Sequence, residues 1–352
     1  MPVSPSLAES LAQPVVEIYA EAERVLLARI ARNLAKGLTA PNWAELKLLE
    51  VQFLQAQTQA LVADLGNRAA AQVAVQLATA YNRGGASAAA DLAALLGVEL
   101  EAVSAPLMSL PTVELLVAET MGYLDAMGPR ILRTALDDFR QVIAETVGQV
   151  LIGTQTRREA AQRALNRFAA KGITGFVDKA GRGWNLESYT EMAMRTGTAK
   201  AAVKGHTDRL QEHGMDLVII SDAPRECPLC RPFEGKVLSI SGRDGRYPSM
   251  DSARSAGLWH PGCRHSASLW QEGITRPYGV TADPAGYEAG QKQRYLERQI
   301  RAQKRVQAAA MDPAASAKAG AKIRAYQKKL RDHVEENDLK RLPAREQIGR
   351  AI

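Results

Sequence analysis

Two thiols spaced as Cys227-Pro-Leu-Cys230 are followed by His260-Pro-Gly-Cys263-Arg-His265, and this window holds all three cysteines and two of the five histidines of the 352-residue chain. Thiolate and imidazole are the ligands zinc favours, four to a tetrahedron, and a CxxC turn presents two sulfurs to one ion. The spacing predicts a structural Zn2+ site built from Cys227, Cys230, Cys263 and either His260 or His265. Two other readings stand beside it. The thiols could be small residues packed under a loop, with both histidines hydrogen-bonded to backbone. A redox CxxC is disfavoured, because the pair leaves a strand into a turn and does not open a helix that would lower the thiol pKa. Three cysteines, an odd number, do not make a disulfide framework.

Catalytic readings find less support. A zinc deaminase needs His-x-Glu upstream of its cysteine pair, and the preceding histidines read His206-Thr-Asp208 and His213-Gly-Met215. A metallohydrolase needs an open coordination position and a base, for which Glu226 and Glu234 are at hand. Acidic residues beside a loop are more often simply solvated. Arg195-Thr-Gly-Thr198 would suit ADP-ribosyl transfer, but no Glu-x-Glu follows it. The chain is read as a non-enzyme.

The elements that must hold this window are mostly helical. Abundant alanine with only five phenylalanines favours closely packed helices over sheets. Pro14 fits the first turn of a helix with Ile18, Ala22, Leu26, Ile30 and Leu34 on its apolar face, stopped at Gly37. Asn42 caps a second helix carrying Leu46, Leu49, Phe53, Ala56 and Ala60 on one face. Arg83-Gly84-Gly85 breaks an alanine-rich helix, and residues 87 to 97 form another. Two prolines make Ala105 to Pro111 a linker. Leu132, Leu136, Phe139, Ile143 and Val147 mark a strong amphipathic helix, and Thr154 or Thr156 caps a shorter one. Asp178 to Asn185 reads as a turn or short hairpin, and helical spacing returns over Leu186 to Glu212. Met215 to Ile220 and Lys236 to Ile240 read as strands, which puts Cys227 and Cys230 in the turn between them. Long helices follow at roughly 286 to 310 and 314 to 337. The expected class is mainly α, with a helical N-terminal half, a small α+β domain around a zinc knuckle, and a basic helical C-terminus. The expected division is 1–104, 113–213, 214–276 and 277–352.

The formal charge of +7 is concentrated in the tail, where Gln291 to Ile352 carry sixteen Lys/Arg against seven Asp/Glu. Clustered cations without base-reading motifs suit phosphate contact. The candidates are Arg298, Arg301, Lys304 and Arg305 on one helix, and Lys322, Arg324, Lys328, Lys329 and Arg331 on the next. Aromatic interleaving is thin, with Tyr295 and Tyr326 alone, so base stacking is not expected. The start lacks a basic segment leading into an apolar run, and no stretch reaches the roughly twenty apolar residues of a membrane span. The expectation is a soluble chain made in a reducing cytoplasm.

Several separated motifs recur together in one family. They are Trp184-Asn-Leu-Glu187, Tyr189, Glu191-Met-Ala and Arg195-Thr196, then Ser221-Asp222, Cys227-Pro-Leu-Cys230 and Phe233-Glu-Gly235-Lys-Val-Leu-Ser-Ile-Ser-Gly242. Tyr247-Pro-Ser and Gly257-Leu-Trp-His260-Pro-Gly-Cys263-Arg-His265-Ser complete the series. In this order they resemble tailed-phage minor capsid proteins, most closely the minor capsid protein 2 group and more loosely the Mu F-like head-morphogenesis proteins. The resemblance runs over about residues 180 to 340. It implies a low-copy structural protein of the capsid interior, acting during assembly with the portal protein and the major capsid or scaffold protein. It also implies a contact with packaged double-stranded DNA, and no membrane partner. A virion-associated metal-dependent hydrolase or nuclease is the alternative.

Overall fold

The alanine-rich segments fold as helices in the computed structural model, which describes residues 5–104, 110–177, 181, 183–277 and 279–348. In chain order these are α1 (Pro5–Ala35), α2 (Trp43–Leu49), α3 (Val51–Leu96), α4 (Leu110–Asp125), α5 (Gly128–Leu151) and α6 (Arg157–Lys171). A short hairpin, β1 (Thr174–Val177) and β2 (Gly183–Asn185), leads into α7 (Leu186–Glu212). Then come β3 (Leu217–Ile220), β4 (Val237–Ser239), α8 (Met250–Ser255) and β5 (Ala267–Leu269), and finally α9 (Pro284–Ala308) and α10 (Pro313–Glu336). The class is mainly α, with a small α+β part around the cysteines. No helix among the described residues is long and apolar enough to cross a membrane.

The chain forms two compact units whose segments interleave in sequence, whereas the four regions expected from sequence are consecutive stretches. The first unit contains the residues up to Val15, Ala70–Tyr123 and Glu191–Glu288. The second contains Val16–Ala69, Leu124–Thr190 and the residues from Ala289 onward.

Within the first unit, the later part of α3 lies directly on α7. A Cβ on Gly84 would sit 1.9 Å from the carbonyl oxygen of Ala202, and one on Gly205 would sit 2.0 Å from that of Tyr81. Each glycine is the notch that receives the other helix's backbone. This corrects the expected break at Gly84-Gly85: α3 runs straight through, because the close approach outweighs the roughly 1 kcal/mol that a glycine costs a helix interior. Below this pair lies an antiparallel sheet of order β4-β3-β5. Val218, Ile220, Leu238 and Leu269 of the sheet share a core with Ala88, Leu92, Val203 and Leu210 of the two helices.

The second unit is helical apart from its hairpin. Leu27, Ile30 and Leu34 of α1 are buried, as are Leu54 of α3 and Phe139 of α5. Trp43 is buried too and donates from its indole nitrogen to the Leu34 carbonyl at 3.1 Å. Three expectations need correction. Pro14 is not in the first turn, since α1 begins at Pro5; the buried Leu11, Ala12, Val15 and Val16 around it supply the packing that carries the helix past the missing hydrogen bond. Pro111 opens α4 and does not close a linker, and residues 105–109 of that linker lie outside the described residues. The stripe of Leu46, Leu49 and Phe53 faces outward, with Leu49 77% and Phe53 60% exposed, because Trp43, Lys47, Val51 and Leu54 take the inner face. Of the expected turn at 178–185, Asp178–Ala180 and Arg182 lie outside the described residues.

Candidate metal centre

The topology of the three-stranded sheet explains how ligand types more than thirty positions apart meet. β3 is central, and its last residue, Ile220, pairs with Ala267, the first residue of β5. The chain leaving β3 and the chain entering β5 therefore emerge at the same end of the sheet. The first carries Cys227 and Cys230, and the second carries His260, Cys263 and His265. Both loops are tied locally. The backbone N–H groups of Cys230 and Arg231 both donate to the Cys227 carbonyl at 3.2 Å, and that of Cys263 donates to the His260 carbonyl at 2.9 Å. Gly235 and Gly262 adopt φ of 67° and 86°, the left-handed turns that re-enter β4 and lead to Cys263.

All five residues named from sequence are brought together, as two groups that share Cys230. Cys227, Cys230 and His260 form one, and Cys230, Cys263 and His265 the other, with the donor atoms in each within 4.8 Å of one another. Cys227 Sγ lies 2.8 Å from His260 Nε2, Cys230 Sγ lies 3.5 Å from Cys263 Sγ, and Cys263 Sγ lies 3.4 Å from His265 Nδ1. A tetrahedral ion with Zn–S bonds of about 2.3 Å separates two sulfurs by roughly 3.7 Å. Each of the two groups has the ligand chemistry zinc uses, with donors close enough together to hold an ion.

The outer nitrogens of both rings are also engaged. His260 Nδ1 lies 2.9 Å from the Pro261 carbonyl oxygen, and His265 Nε2 lies 2.6 Å from Glu234 Oε1. An imidazole that donates outward to oxygen turns its lone pair inward, the arrangement that orients metal-binding histidines. Burial opposes the charged form of His265, but hydrogen bonds to Cys263 and Glu234 outweigh it and raise the pKa. Of the two facing thiols, Cys263 is pushed down by the hydrogen bond from Cys230, against its burial and with help from His265. Cys230 is pushed up by that same bond and by desolvation. One thiolate is thus stabilised even by protein groups alone.

Glu226 and Glu234 do not behave as solvated flanks. Both are buried: Glu226 Oε1 accepts from Arg231 Nε at 2.5 Å, and Glu234 accepts from the Ala223 N–H at 3.2 Å besides meeting His265. Sequence reasoning also passed over Trp259, whose φ of 57° and indole hydrogen bond to the His265 carbonyl at 3.0 Å brace the second loop. The signal was present, since a tryptophan just before His-Pro-Gly is an uncommon loop residue. Beside the cluster is a cavity of about 350 Å³ whose lining includes Arg195, Lys200, Trp259, His260 and Cys263.

Over residues 3–335 the chain matches the family described as phage minor capsid protein 2. It belongs to that family. It is also 29% identical over 220 residues to a curated relative named "Structural protein" from Lactococcus phage LL-H, an alignment covering 58% of this chain and 59% of the relative. The chain thus spans under two thirds of that relative's length. No solved structure matches it.

For a phage minor capsid family member, the basic tail is the other region of interest, and its nine named cations have different surroundings. Arg298, Lys322, Arg324, Lys328, Lys329 and Arg331 are exposed. Arg301 and Arg305 point inward, at 5% and 3% exposure. Arg301 Nε lies 2.9 Å from Glu187, and Arg305 lies 3.5 Å from Glu23 and 3.7 Å from Glu187. Lys304 is half-buried and donates to Gln347 Oε1 at 2.6 Å.

Proposed function

We propose that the protein is a structural component of the phage head, held in the capsid interior, that acts in assembly with the portal protein and the major capsid or scaffold protein. The observation that carries this reading is the family match over nearly the whole chain. The Cys/His cluster serves as a zinc staple, with Cys227, Cys230, Cys263 and one of the two histidines as ligands. Bound zinc would supply fixed coordination between the two loops. Glu234 and the Pro261 carbonyl would orient the imidazoles, and the closed packing around Cys230 excludes water. The exposed cations of α9 and α10 contact the phosphates of packaged double-stranded DNA. Two measurements test this reading. Mass spectrometry of purified virions should find the chain at low copy, and absence from the particle would overturn the assignment. The purified protein should hold about one zinc per chain, as structural sites do; a Cys227→Ser variant with unchanged metal content would refute the staple.

The cavity beside His260 and Cys263 favours one second reading, a virion-associated metal-dependent hydrolase or nuclease. Nuclease and hydrolase assays with added zinc or magnesium address it. Activity that disappears in Glu226→Gln or His265→Ala, with folding intact, would replace the structural role.

A further inference from the structure

α6 and α10 of the second unit face each other across a cleft of about 610 Å³. Arg158 and Arg163 project from one side, Lys318 and Lys322 from the other, and Asn166 and Gln303 also line it. All four cations are exposed, and among the described residues Arg158, Lys318 and Lys322 meet no carboxylate. The two acidic groups of the lining are committed elsewhere. Glu159 closes the capping box of α6, accepting from the Thr156 N–H at 3.0 Å, and Asp312 caps α10, accepting from the Ala315 N–H at 2.8 Å. Both keep their charge, and Glu159 lies near enough to Arg163 to feel it, so the lining holds four cations against two carboxylates and stays net positive. Gathering like charges in a concave surface is unfavourable in itself, and it focuses a positive potential that draws in anions.

We infer that this cleft is a binding site for the phosphate backbone of double-stranded DNA, with Arg158, Arg163, Lys318 and Lys322 as its contacts. The inference rests on the DNA-contact reading above and locates that contact: α6 joins the tail helix in making it. The cleft is too large for one phosphate, and its cations stand on two helices, as successive phosphates require. Along α10, Lys318, Lys322 and Lys329 recur at helical spacing, so the charged track continues beyond the cleft.

The test is binding of a random-sequence duplex of about 30 base pairs to the full chain, measured by fluorescence anisotropy over a range of salt concentrations. Wild type is compared with a cleft variant (Arg158→Gln, Arg163→Gln, Lys318→Gln, Lys322→Gln) and a face variant (Arg324→Gln, Lys328→Gln, Arg331→Gln). The cleft variant should weaken binding at least tenfold and flatten the log–log salt slope by about 3, and the face variant should do less. If wild type binds but the cleft variant is unchanged, the cleft assignment falls and the DNA reading stands. If wild type does not bind duplex at all, both fall. Competition by polyglutamate as effective as that by duplex would assign the cleft to an acidic protein and overturn the inference. Should the quadruple variant misfold, Lys318→Gln and Lys322→Gln singly, both at exposed positions, should each reduce the slope by about 1, and no change in either would refute the site.

Discussion

The first unit brings thiols and imidazoles together from two loops; the second brings together Glu23 of α1, Glu187 of α7, and Arg301 and Arg305 of α9. Both sets fasten segments distant in sequence. Glu23 Oε1 also accepts from the Ile173 N–H at 2.7 Å, and Arg305 donates to the Ala169 carbonyl at 3.1 Å, so the ionic cluster holds the α6–β1 corner as well. They differ in what they demand. The thiol–imidazole set uses rare residue types and, with zinc bound as proposed, would gain a bond energy supplied from outside the chain. The arginine–glutamate set uses common types and must recover its own desolvation from geometry. Burial accordingly raises the carboxyl pKa of Glu23, although Arg305, the Ile173 N–H and Arg301 all pull the other way. The first kind of fastener announces itself in a sequence, and the second is disguised as surface charge.

The contrast can be broken most forcefully by chelation. Removing zinc should abolish amide protection in β3, β4 and β5 while leaving α5 and α6 protected, with a loss above about 5 kcal/mol, part of the 10–16 kcal/mol that zinc gives small modules. Uniform loss of protection, or none, would contradict a fastener local to one unit. Next in size is Arg305→Met, which strips Glu23 of its nearest cation, leaves Glu187 with Arg301 alone, and should cost about 3–5 kcal/mol in urea unfolding without lowering metal content.

Acid separates the units in a third way. His206 in the first unit is fully buried, and desolvation lowers its pKa to about 4. The unfolded chain binds that proton at about 6.5 and the folded chain only near 4, so this stability is complete above 6.5 and fades as pH falls to 4, by about 3 kcal/mol. Asp138 in the second unit behaves oppositely. Desolvation, helped by Asp137 and opposed by Lys171, lifts its pKa to about 6, so its folded form gains a proton first and acid relieves it. Asp91, 3.9 Å from His206, is also raised by burial and moves with Asp138. The histidine contribution is therefore the difference in pH dependence between wild type and His206→Gln, and identical curves would remove it. The smallest effect is expected from Gly84→Ala, which forces α3 off α7 and should cost about 1–3 kcal/mol, read as a lower thermal midpoint with zinc content unchanged.

Much of the candidate site was legible because cysteine and histidine are scarce and their spacing is specific. The five named residues fall into two groups that share Cys230, and the two strands around the CxxC pair lie within the segments expected for them. β5 went unseen because Ala-Ser-Leu is three residues, too short for its alternation to stand out, and only its pairing with β3 makes it a strand. Glu234 resisted recognition since nothing local separates a carboxylate aimed at an imidazole from one aimed at water. Helix existence was readable from apolar period, and so was the facing of α1, whose Ile18, Ala22, Leu26, Ile30 and Leu34 are all buried; after Asn42 it was not, since Leu46, Leu49 and Phe53 hold the right spacing on the outer side and the inner side carries Lys47 and Thr58. Glycine misled for a related reason. At Gly84 its missing side chain serves a neighbour far along the chain, which a local reading takes for a break.

The interleaving of the two units bears on how the molecule comes into being. Neither core is encoded in one uninterrupted stretch: the first needs residues up to Glu288, and the second needs the helices that follow. A ribosome that has released α1 through α6 has therefore delivered Glu23 without either arginine that neutralises it. The first core can close only after Glu288 has been made and the second only after α9 and α10, and products stalled before those points would expose helices that have nothing yet to fold against.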